Sequence, residues 1–182
     1  MRFAMPVRLV AGILMLVFSV LSHASYTQTR HPIVLVHGVT GFNTLGGLIN
    51  YFHTIPWNLE RSGAKVYTAS VSFVNSSEQR GQQLANYVNS LGHSKVNLVA
   101  HSQGAPTSRV AAALIPHKIA SVTSIDGVNK GSKVADVIRG IIPPGSYVEG
   151  GADAIANALG GLINALSGAS NPQDGIAALE TL

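Results

Sequence analysis

The chain has 182 residues, with 12 Lys and Arg against 8 Asp and Glu, a formal net charge of +4 and no cysteine. That length suits one domain able to bury a sizeable core, and the absence of cysteine excludes a disulfide framework, so packing has to hold the fold. Lys and Arg are scattered along the sequence and no metal-type His or Cys spacing occurs, so composition favours neither a nucleic-acid binder nor a metal centre.

Residues 1–24 carry Arg2 and Arg8, an apolar stretch from Leu9 to Leu21 and the small-x-small triplet Ser22-His23-Ala24. This pattern predicts a cleaved signal peptide and therefore secretion; it is too short and wrongly flanked for a membrane anchor. Losing Arg2 and Arg8 halves the net charge, which weakens any case for nucleic acid further. The remainder, 25–182, shows no internal repeat or linker and reads as a single domain.

Residues 31–36 form an almost unbroken apolar run, as in a strand buried on both faces of a parallel sheet. A helix is expected over 47–61, stopped by Gly63, and a strand over 66–73. The clearest helix covers 76–91, with Ser76 and Gln79 as a capping box, Leu84, Tyr87, Val88 and Leu91 on one face, and Gly92 just past its end. A strand at 96–100, a helix at 106–114 closed by Pro116 and a strand at 121–125 complete an alternating α/β succession. After the break at Pro143-Pro144-Gly145, residues 150–168 place Ile155, Leu159, Leu162, Ile163 and Leu166 at helical spacing. This segment suits a core helix or a mobile one, with Gly160-Gly161 costing about 1 kcal/mol per glycine relative to alanine.

Chemistry concentrates at two strand ends. Ala100-His101-Ser102-Gln103-Gly104 sits between a strand and a helix, the setting of a nucleophile elbow, where a strained serine needs small residues two before and two after it. The Gln103 amide then lies at the first turn of the helix, where the positive end of the helix dipole favours a developing oxyanion. His37-Gly38-Val39 ends the first strand, and Gly38 allows a sharp turn that aims the Val39 amide at the same oxygen. One such donor is worth about 3 to 4 kcal/mol in the transition state. His37 precedes the nucleophile, which is wrong for the Ser, then acid, then His order of these enzymes, so an orienting role is expected for it.

His37-Gly38-Val39-Thr40-Gly41-Phe42, Val96 to Gly104, Gly131-Ser132 and Ile142-Pro143-Pro144-Gly145-Ser146 together resemble the ordered landmarks of the Pseudomonas-type bacterial true lipases, with features of the Proteus and Vibrio branch. The resemblance covers about residues 31 to 182. It implies an α/β-hydrolase fold, a mostly parallel sheet with helices on both faces, and triacylglycerol hydrolysis at an oil-water interface through an acyl-enzyme. Ser102 would be the nucleophile, Val39 and Gln103 the oxyanion-hole amides, and 148–168 a lid region. The sequence departs from the pattern at Ala100, where glycine is usual, and at Asn129, where many relatives have histidine.

Six acids follow Ser102, namely Asp126, Asp136, Glu149, Asp153, Asp174 and Glu180, and one histidine, His117. His117 lies a helix length away from Ser102, so it is expected on the surface and not as the base. Asp126 is the best-placed acid by sequence. The resemblance puts the triad acid and histidine after the lid, so the chain is expected to be a C-terminally truncated lipase lacking its last strands and helix, and inactive as it stands. It needs no cofactor of its own; the resemblance allows calcium and a lipase-specific foldase for the full-length protein. A non-catalytic, acyl-binding hydrolase-like module is the alternative.

Overall fold

The computed structural model describes residues 25–45, 49–141 and 144–182. The expected signal peptide, Gly47 and Pro143 lie outside these. Strand β1 (Ile33–Val36) is buried along its whole length, as its continuous apolar run requires. Two short strands, β2 (Thr44–Leu45) and β3 (Ile49–Asn50), pair antiparallel apart from the main sheet. The main sheet adds β4 (Val66–Thr68), β5 (Val96–His101) and β6 (Ile119–Ile125) in the order β4-β1-β5-β6, with every pairing parallel.

The connections place helices on both faces. Helix α1 (Ile55–Glu60) packs on one face, where Ile33 and Leu35 meet Phe52, Leu59 and Ala64. Helices α2 (Ser77–Ser90) and α3 (Gly104–Leu114) cover the other, where Val34, Val36, Leu98 and Ala100 meet Leu84, Ala85, Val88, Ala105 and Ala111. Asn97 interrupts the apolar pattern of β5 for a reason: its side chain donates to the His31 carbonyl at 2.8 Å and accepts from the Ser121 hydroxyl at 2.8 Å, fastening β5 to what flanks it.

Helix α2 starts and stops where its signals predict. The Ser76 hydroxyl accepts from the Gln79 amide at 3.1 Å, and Gly92 takes a φ of +71° just beyond the end. Elsewhere the elements are shorter than periodicity suggests. The helix expected over 47–61 is confined to α1 because Thr54 sits in the left-handed region, at φ +62°, and Pro56 falls in the first turn. The strand expected over 66–73 ends at Thr68; beyond it the chain leaves the sheet, and Ser72 bonds to Gln83 and to the Pro172 carbonyl.

Past β6 the chain is helical: α4 (Lys133–Ile141), α5 (Tyr147–Ser167) and α6 (Gly175–Glu180). Helix α5 begins before residue 150 because Ser146-x-x-Glu149 is itself an N-terminal signal, the Ser146 hydroxyl accepting from the Glu149 amide at 3.1 Å. Its Ile155, Leu162 and Leu166 are turned to solvent. The opposite side of α5 carries Asp153, which accepts from the Ile176 amide at 3.1 Å, and Asn157, which accepts from the Gly175 amide at 3.1 Å, so α5 and α6 dock through polar side chains. Among the described residues no helix is long and apolar enough to cross a membrane.

Candidate active site

Ser102 stands between the last residue of β5 and the first of α3 with a φ of +53°, a conformation that a non-glycine residue adopts only when its surroundings impose it. Three backbone bonds impose it here. The Ser102 amide donates to the Ile125 carbonyl at 3.3 Å, and its carbonyl accepts from Ala105 at 3.0 Å and Val128 at 3.3 Å. The space around the turn is as tight as its small residues imply. A Cβ on Gly104 would lie 2.4 Å from the Val36 carbonyl oxygen, and one on Gly38 would lie 2.7 Å from Cβ of Ser102. Ala100 is wholly buried, so the usual glycine two before the serine is not required by this packing.

The close approach of Gly38 brings the β1 turn against the elbow, with Val39 following Gly38 in the one and Gln103 following Ser102 in the other. Among the described residues no acceptor takes the N–H of Val39 or of Gln103, while the next amide, Thr40, is bonded to Phe73 at 2.7 Å. Both N–H groups are therefore uncommitted, next to a strained serine.

Both donors are held by a residue that sequence reasoning missed. Arg80, wholly buried on α2, donates through Nη1 to Gln103 Oε1 at 2.6 Å and through Nη2 to the carbonyls of His37 at 2.6 Å and Gly38 at 3.0 Å. One guanidinium therefore spans the β1 turn and the elbow. Gln103 passes the restraint on, its Nε2 donating to the Asn75 carbonyl at 2.9 Å. Burial lowers the Arg80 pKa to about 9, so it remains a cation at neutral pH. A signal for it existed: Arg80 falls in helical phase with Leu84 and Val88, a charge on the face that points to the core.

Four of the described histidines, His37, His93, His101 and His117, are otherwise engaged or remote. His37 is buried, and that burial, with the Arg80 cation beside it, lowers its pKa to about 3, so its ring is neutral. Its Nδ1 lies 2.9 Å from the Gly38 carbonyl, consistent with a ring that shapes the turn. His101 bonds to the Tyr51 hydroxyl at 2.6 Å and His93 to that of Tyr67 at 2.8 Å. His117 is exposed in a short turn at Pro116–Lys118, beyond the far end of α3. Asn129 donates to the Ser124 hydroxyl at 3.1 Å, bracing the loop after β6, and Asp126 ends that strand with a φ of +46°.

Next to Val39 opens a cavity of about 210 Å³, walled by Val74, Ile138, Ala156, Ile176 and Leu179. It is apolar and lies between α4, α5, α6 and the turn after β1.

Residues 31–159 match the sequence pattern of a family described as the alpha/beta hydrolase fold. The chain belongs to that family. Within it, this α/β hydrolase is 54% identical over 167 residues to a triacylglycerol lipase of Vibrio cholerae, an alignment covering 89% of the chain and 53% of that relative. A triacylglycerol lipase of Pseudomonas fragi is 43% identical over 145 residues, covering 78% of the chain and 49% of the relative. The chain thus spans about half the length of the relatives it matches. Its fold resembles that of a Bacillus licheniformis lipase in its mature form, with a TM-score of 0.57 at 18% identity over 85% of this chain and 56% of the other. A metagenomic carboxyl esterase gives the same TM-score at 20% identity, over 85% of this chain and 43% of the other. The resemblance to bacterial true lipases and the α/β class expected from the sequence both stand on these matches.

Proposed function

We propose that this α/β hydrolase segment is the nucleophile-bearing half of an exported triacylglycerol lipase, with Ser102 as the acyl-accepting nucleophile and the amides of Val39 and Gln103 as the oxyanion hole. The single observation that carries the reading is the left-handed Ser102 between two uncommitted amides, both held by Arg80. The similarity to triacylglycerol lipases supplies the substrate class. The apolar cavity lined by Val39 supports this reading as a site for an acyl chain on the Val39 side of the serine.

A serine hydroxyl is a poor nucleophile without a base, and no histidine ring among the described residues is placed to serve it. The segment alone is therefore expected to hydrolyse a p-nitrophenyl ester no faster than its Ser102→Ala variant. In a protein carrying the segment at its relatives' full length, Ser102→Ala should lower kcat on emulsified triacylglycerol by at least about a thousandfold. A loss below tenfold in the longer protein refutes the assignment of Ser102.

Helix α5, within the 148–168 lid region, completes the proposal. Its outward Ile155, Leu162 and Leu166 form an apolar face suited to an oil-water interface, while its inner side walls the cavity. Replacing Leu162 and Leu166 by serine should reduce activity on emulsions more than on a short soluble ester, because only the interfacial state uses those side chains.

A further inference from the structure

Aspartate followed by glycine is open to an internal reaction, because the next amide nitrogen can reach the side-chain carboxyl carbon and glycine has no Cβ to obstruct it. The sequence contains two such pairs, Asp126-Gly127 and Asp174-Gly175, and the fold treats them oppositely. Asp174 caps α6, its Oδ1 accepting from the Ala177 amide at 2.8 Å, and the buried Gly175 donates its amide to Asn157 Oδ1 at 3.1 Å. Carboxylate and amide are both committed there. Asp126 is exposed and left-handed, at φ +46°. Among the described residues no donor meets its carboxylate and no acceptor takes the Gly127 amide.

Packing fixes the glycine of this pair. A Cβ on Gly127 would collide with Ser124 Oγ and lie 2.5 Å from Cβ of Ala105, in the first turn of α3. The neighbours of the pair hold the Ser102 turn: the Ile125 carbonyl accepts from the Ser102 amide and the Val128 amide donates to the Ser102 carbonyl, both at 3.3 Å. We propose that Asp126 is a self-modification site, converted through a succinimide to isoaspartate, and that the conversion unfastens Ser102. In the first step the Gly127 nitrogen bonds to the Asp126 carboxyl carbon and one carboxyl C–O bond breaks. The released oxygen leaves as water, with the amide proton and the carboxyl proton. In the second step water adds to the main-chain carbonyl carbon of Asp126 and the bond from that carbon to the Gly127 nitrogen breaks, the hydroxyl staying on the carbon and the proton going to the nitrogen. The main chain then runs through the side-chain carbonyl, one methylene longer between Ile125 and Val128. Both residues are anchored on Ser102, so the two bonds cannot both keep their geometry, and a left-handed serine persists only while its surroundings impose it.

The test is prolonged incubation of the full chain, folded and in denaturant, at mildly acidic pH, followed by digestion with an endoproteinase that cuts before aspartate and not before isoaspartate. Mass mapping of the uncut peptides locates the modification, and a peptide lighter by one water marks the succinimide. Folding should slow conversion at Asp174 by about tenfold or more and at Asp126 by less than about threefold, because only the first pair has both groups bonded. Asp126→Glu, whose ring closure would need a larger ring, should abolish conversion at that position. Equal protection of the two pairs, faster conversion at Asp174, or a folded Asp126 that stays unmodified while the denatured chain converts overturns the proposal. The consequence for Ser102 rests on its assignment as nucleophile and is read separately, in a protein carrying this segment at its relatives' full length. Phosphonate labelling of Ser102 should fall in step with isoaspartate at 126, and more slowly in Asp126→Glu. Labelling that outlasts full conversion overturns the unfastening; a fresh protein that takes no label refutes Ser102 instead, and the digestion still decides the modification.

Discussion

At the scale of single residues, the site depends on a buried cation whose hydrogen-bond partners among the described residues are carbonyl and amide oxygens. Arg80 donates to two carbonyls and one side-chain oxygen, and deleting it takes the donor from the buried His37 carbonyl and Gln103 Oε1, each costing about 1–3 kcal/mol, while Gly38 keeps the Gly41 amide. Arg80→Ala should therefore destabilise the domain by about 3 kcal/mol or more in urea titration, and Arg80→Lys should recover only part, because an ammonium cannot span the fork of partners. His37 sets a pH dependence. The unfolded chain takes up a proton at His37 near its ordinary value of 6.5, whereas the folded chain resists until about pH 3. Stability contributed there is whole above pH 6.5 and is lost through that window, by about 1.4 kcal/mol per pH unit. His37→Gln should flatten the fall between pH 6 and 4 in thermal melts; an unchanged slope would show that another group titrates.

At the scale of elements, two adjacent glycines in α5 behave oppositely. A Cβ on Gly160 would lie 2.6 Å from the Gln173 side chain, which also accepts from the Val74 amide at 3.0 Å, while one on Gly161 meets nothing within 4 Å. Gly161→Ala should stabilise by up to about 1 kcal/mol through helix propensity. Gly160→Ala should lose that gain by displacing Gln173, with faster hydrogen exchange at the Val74 amide. This pair also shows what the sequence conceals. Periodicity marked α5, but the space that Gly160 leaves is filled by Gln173, a partner outside the helix. Helix α2 was legible because its cap and its stop are local chemistry. Strand β4 was overextended because residues 69–73 are apolar enough for a strand, yet they turn away to meet Gln83 and Pro172. The tight turn at Ser102 was legible from Ala100, Ser102 and Gly104, since its sterics are confined to five residues. Arg80 was hidden because its partners, Gly38 and Gln103, lie far along the chain.

At the scale of the whole molecule, β6 is half of a sheet edge without cover, with Val122 38% and Ile125 52% exposed. An uncovered apolar edge strand is a template for pairing between chains. Ile125→Lys should therefore raise the concentration at which the segment stays monomeric in light scattering, with no loss of helical circular dichroism. The central claim is that the fold presents Ser102, and no other serine, to a carbonyl carbon between the Val39 and Gln103 amides. A phosphonate ester mimics the tetrahedral intermediate, and its adduct can be located by peptide mass mapping in a protein carrying this segment at its relatives' full length. The account predicts a single adduct on Ser102, absent in Ser102→Ala and formed much more slowly in Gly38→Ala, whose added methyl collides with Ser102; an adduct on any other serine, or labelling that survives Ser102→Ala, contradicts it.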